Sequence, residues 1–88
     1  AKLALFNEPS EIKDAPEGSA IIYFSKPAAP KRDEYWLSES ADKAEAARNL
    51  FSLLRSLDKR YERIFCQRLE NSGIGEAVND RLSRAQKS

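Results

Sequence analysis

The sequence predicts an α/β domain: a small, mostly parallel four-stranded sheet with helices packed on it in two or three layers. Three observations predict it. An amphipathic helix, a short strand, a glycine turn and a second helix follow one another between residues 42 and 87. Such a strand held between two helices is the repeating unit of a parallel sheet. Ahead of it lie short runs rich in β-branched and aromatic residues, separated by turn residues. The chain has 88 residues, 41% of them apolar, which is enough for one globular core and for no more than one domain.

Each element has its own reason. Residues 3–6 (LALF) form an apolar strand ended by Asn7, Glu8 and Pro9. Residues 10–13 can make one helical turn before Pro16 and Gly18 stop it. Residues 20–24 (AIIYF) are apolar at successive positions and read as a central strand buried on both faces. Pro27 and Pro30 make residues 25–33 a loop, and residues 35–38 a short third strand.

Asp42 is a helix cap, with Glu45 where a capping box puts its acid. Ala44, Ala47, Leu50, Phe51, Leu54 and Leu57 mark one face of that helix, and Lys59 and Arg60 end it where the dipole favours cations. Residues 63–68 alternate as a fourth strand. Ile74, Ala77, Val78, Leu82 and Ala85 are the expected stripe of the last helix. Right-handed crossovers and a strand order 3-2-1-4 would make this half of a Rossmann-like domain.

Fifteen Lys and Arg against fourteen Asp and Glu leave a net charge of +1, which gives no broad field for nucleic acid or a membrane. A single cysteine, Cys66, rules out an internal disulfide, and no apolar run is long enough to span a membrane. A reducing, cytoplasmic setting is the expectation. Histidine is absent, and with it the commonest general base and metal ligand. The chain has no methionine and opens directly on a strand, so we expect a piece of a longer protein.

Two places could hold a ligand. Gly73 and Gly75 lie where strand gives way to helix, and free N–H groups there favour a phosphate or carboxylate. Two glycines are not the dinucleotide fingerprint, and they serve equally well as a turn with positive φ and a close helix–sheet approach. The second place is the carboxyl edge of the sheet. Asn7, Ser25, Lys26, Ser38 and Asn71 are expected to gather there near Lys31 and Arg32, as an anion crevice, a docking surface or a solvated loop.

Trp36 beside Tyr35 should put one ring in the core and one outward as a domain contact. Cys66 reads as a buried structural thiol. No catalytic constellation and no metal-ligand spacing emerges. Direct nucleic-acid binding through Arg48, Arg55, Lys59 and Arg60 is diluted by Glu45, Asp58 and Glu62.

The run AARNLFSLLRSLDKRYERIFCQRLENSGIGEAVNDRLSRA, residues 46–85, resembles the carboxyl-terminal domain of two-domain threonylcarbamoyl-adenylate synthases. The similarity rests on Asn49-Leu50-Phe51, on Leu54, Arg55, Leu57 and Asp58, on Gly73, Gly75 and Ala77, and on Asn79-Asp80-Arg81-Leu82 with Ala85. The resemblance implies a Rossmann-like accessory domain that holds no cofactor. Its partner would be a YrdC-like catalytic domain of the same chain. That parent would use ATP as substrate, with bicarbonate and L-threonine, to make threonylcarbamoyl-AMP for tRNA modification. The residues alone leave an alternative open, a free-standing module binding a nucleotide or other anion at the Gly73–Gly75 turn.

Overall fold

A computed structural model describes residues 2–13, 15–70 and 73–87. Strands β1 (Lys2–Phe6), β2 (Ala20–Ser25), β3 (Glu34–Ser38) and β4 (Arg63–Gln67) make one all-parallel sheet. Helix α1 (Lys43–Asp58) joins β3 to β4, and α2 (Ile74–Lys87) follows β4. The fold is therefore α/β, as the sequence predicts.

The strand order is not the expected 3-2-1-4. It is β1-β4-β2-β3, with β4 inserted between β1 and β2. The burial of β4 explains its place. Ile64 and Cys66 are almost wholly buried, whereas β1 opens on the exposed Lys2. The strand that buries most takes two neighbours: it pairs Ile64 with Leu3 and with Ala20, and Cys66 with Leu5 and with Ile22. β1 is left on the edge.

Asp42 caps α1 as its position predicts, accepting from the N–H groups of Ala44 at 2.9 Å and Glu45 at 3.3 Å. The buried face is Ala46, Leu50 and Leu57, with Ala44 and Ala47 only half-buried, so the stripe is rotated from the expected one. Asn49 holds this rotation by donating from Nδ2 to the Leu37 carbonyl at 2.8 Å. In α2 the buried positions are Gly75, Val78 and Leu82. Ala77 and Ala85 are exposed and Ile74 is 48% exposed, contrary to the expected stripe. A helix that rests on one edge of a sheet and on one neighbour needs only a narrow apolar seam.

Both helices lie on one face. Ile22, Leu37, Ile64 and Cys66 meet Ala46, Leu50, Leu57, Val78 and Leu82 there in a single cluster. By alternation Ala4, Phe6, Ile21, Tyr23, Trp36 and Phe65 point to the opposite face. No helix covers that face among the described residues. A 3-10 turn, Pro9–Ile12, stands where one helical turn is expected, and it packs on β1. Phe6 and Ile12 are buried outside the main cluster, and the Phe6 ring meets Tyr23 edge-on at 6.0 Å. The rest of the outer face is half-buried. The expectation that β2 is buried on both faces therefore holds for one face only: Ala20 and Ile22 are covered, Ile21 and Tyr23 are not.

Candidate functional site

The glycine turn is built by close packing. Gly73 has φ of +56° and open space around it, while Gly75 sits against the loop that leaves β4. A side chain at Gly75 would collide with the Glu70 carbonyl oxygen. One turn further along α2, Asn79 clamps Leu69 from both sides: Oδ1 accepts from its N–H at 2.9 Å and Nδ2 donates to its carbonyl at 2.8 Å. Lys43 adds an ion pair to Glu70 at 3.2 Å. Beside the turn lies a hollow of about 560 Å³, lined by Gly73, Glu76, Ala77, Asn79, Asp80 and Ser83. Its two carboxylates, Glu76 and Asp80, oppose any anion approaching the amino end of α2. Asn71 lies outside the described residues.

The motif residues of both helices serve as staples. Asn49 holds β3 and Leu50 fills the core. Phe51 lies under the Arg81 guanidinium at 4.6 Å, so α1 and α2 are joined by a cation–π contact. Asp80 pairs with Arg84 at 2.9 Å, and Leu82 is fully buried.

The basic loop does not gather at one edge. Lys26 stays at the carboxyl edge, 3.5 Å from Glu39 and 5.4 Å above the Trp36 ring. Lys31 and Arg32 lie at the opposite edge, where the Lys31 N–H and carbonyl both bond Glu34 at the start of β3. The loop must travel the length of the sheet to bring β3 parallel to β2, which separates its cations. Trp36 and Tyr35 do point to opposite faces, with Trp36 on the outer one.

Sequence reasoning missed two amide and hydroxyl networks. Gln67 ends β4 and spans the carboxyl edge: Oε1 accepts from the Phe24 N–H at 2.8 Å and Nε2 donates to the Asn7 carbonyl at 3.1 Å. Its side chain thus fills the gap between β1 and β2 where ligands of open α/β sheets bind. At the other edge Tyr61 donates to Asp33 at 2.9 Å and meets the Tyr35 hydroxyl at 2.8 Å. The Tyr35 bond, then burial and Asp33, push the Tyr61 hydroxyl above its ordinary range. An amide at a strand end was the only signal available for Gln67.

Cys66 is fully buried, and burial pushes its thiol up to about 12. The folded state thus holds this proton more tightly than the unfolded chain, whose thiol titrates near 9. Its share of stability is intact below pH ~9 and declines as pH rises toward the folded value. Cys66→Ala should remove the part of the alkaline loss that begins near pH ~9, read from urea midpoints across pH. An unchanged midpoint profile would contradict this. The described residues include no group of three or more side chains placed to share a metal ion, and no helix long and apolar enough to cross a membrane.

Comparison with known proteins agrees with the motif. Residues 1–86 match the family model of the threonylcarbamoyl-AMP synthase C-terminal domain. No curated protein and no solved structure matches the chain. The match spans nearly the whole chain, including the strands and loops before residue 46, and the chain belongs to the threonylcarbamoyl-AMP synthase C-terminal domain family.

Proposed function

We propose that this domain is a non-catalytic accessory unit of a threonylcarbamoyl-AMP synthase and acts through contact with a YrdC-like catalytic domain of the same chain. In this reading the partner domain binds ATP, bicarbonate and L-threonine and releases threonylcarbamoyl-AMP and pyrophosphate in the cytoplasm. The threonylcarbamoyl group then goes to a tRNA adenosine. The accessory domain holds no cofactor and does not contact the tRNA directly.

One observation carries the reading. The polar residues of the family motif are occupied in building the fold: Asn79 with Leu69, Arg81 with Phe51, Asn49 with Leu37 and Asp80 with Arg84. A domain whose characteristic polar groups all hold helices in place is suited to presenting a rigid surface.

The test is pyrophosphate release with ATP, threonine and bicarbonate. The full-length chain is expected to turn over and the 88 residues alone to show no turnover. Turnover by the 88 residues would sink the accessory role. Titration with ATP, AMP and phosphate addresses the alternative of an anion held by Gly73 and Gly75. Amide shifts confined to residues 73–76 would favour it.

A further inference from the structure

Two unsatisfied features meet at β1. The first is its free edge. Lys2 donates its N–H to Glu62 and Phe6 accepts from Arg68, at 2.8 Å each, so by period two Lys2, Ala4 and Phe6 turn their main-chain groups to β4. Leu3 and Leu5 turn theirs the other way, where no strand lies among the described residues. The edge Leu3-Ala4-Leu5 has no charge, proline or bulge to prevent pairing. The far edge, β3, carries Glu34. The second feature is the outer face, where Ala4 and Phe65 are half-buried. A groove of about 420 Å³ runs there, lined by Lys2, Leu3, Ala4, Arg63, Ile64 and Phe65. All-parallel sheets are almost always covered on both faces.

Handedness joins the two. α1 carries the chain from β3 toward the β1 side of the sheet and lies on the inner face. A right-handed crossover running the opposite way, from a strand outside β1 into β1, must lie on the outer face. Its helix would run antiparallel to the strands and end over the amino end of the β1–β4 pair. Lys2 and Arg63 stand there, both on the outer face by alternation. They match the negative end of a helix dipole.

We propose that the β1 edge and the Ala4–Phe65 face form one docking surface for a strand and helix supplied by the stretch of the parent chain just before Lys2. The strand adds parallel to β1, and the helix covers the groove. This inference rests on the reading above that another segment precedes this domain in one chain.

The test is amide hydrogen exchange in the full-length chain. Leu3 and Leu5 should exchange at least about a hundredfold slower than in an unstructured peptide, at every protein concentration. Ala4→Arg should speed both at least about tenfold and leave Ile22 and Cys66 slow. Deleting about 30 residues before Lys2, the length of such a unit, should speed them to the unprotected rate. Fast exchange at Leu3 and Leu5 in the intact chain overturns the proposal. So does protection that grows with protein concentration, the mark of a second copy, and so does protection that survives the deletion. Should the deletion unfold the domain, the Ala4→Arg result decides, and unchanged rates in that variant count against the proposal. Protection without pyrophosphate release would spare this surface and sink the accessory role. Release with an unprotected edge would do the reverse.

Discussion

Gly75→Ala is expected to lower stability by roughly 3 kcal/mol, the upper part of the range for overpacking a filled site. The added methyl group would overlap the Glu70 carbonyl oxygen and press on the Glu70 carbonyl carbon at 3.1 Å and Leu69 Cβ at 3.3 Å. Main chain cannot swing aside as a long side chain can, and Asn79 pins the neighbouring Leu69. Alanine favours a helix over glycine by about 1 kcal/mol, which is too little to offset the collision. Thermal unfolding is the measurement, with a fall of about 4–8 °C for each kcal/mol in a domain of this size. Gly73→Asn is the control. Gly73 faces open space, and asparagine tolerates its positive φ, so the loss should stay below about 1 kcal/mol. Equal losses in the two variants would remove the packing explanation for Gly75.

Asn79→Ala is expected to cost about 2 kcal/mol. It strips Leu69 of the partners for both its N–H and its carbonyl, and Leu69 is 4% exposed. Each buried main-chain group left unpaired costs about 1–3 kcal/mol. Water reaching the half-buried position of Asn79 recovers part of this, and the better helix propensity of alanine returns a few tenths. Asn79→Asp keeps the acceptor for the Leu69 N–H but sets a carboxylate against the Leu69 carbonyl. It should therefore be destabilised at neutral pH and recover as the pH falls and the acid protonates. Urea unfolding at two pH values separates the variants. Full stability in Asn79→Ala would show that the clamp contributes nothing.

These two positions show why the last third of the chain was so readable. A glycine pair and an asparagine next to an apolar stripe are local features, set by spacing along one helix. The same holds for the Asp42 cap and for the alternation of Ile64 and Cys66, whose inward face is where the structure puts it. The rotation of α1 was less readable because Asn49 reaches a carbonyl on another strand. The spread of the basic loop was hidden for a related reason. Lys26 and Lys31 are close in sequence, but a parallel β2–β3 pair requires the chain between them to cross the whole sheet. Gln67 was missed because its partners, Phe24 and Asn7, lie far away in the chain.

By itself the sequence determined the α/β class, the boundaries of its helices, the buried and unreactive Cys66, and membership of a family whose motif residues lie in the two helices. Each of these follows from propensity, periodicity or capping within about twenty residues. Tertiary structure alone decided that β4 stands between β1 and β2, that both helices share one face, and that the edge and outer face at β1 are left open together. The physical reason is that strand pairing and crossover direction depend on which strand buries most and on the handedness of connections. These properties belong to the assembled sheet, and no single segment carries them.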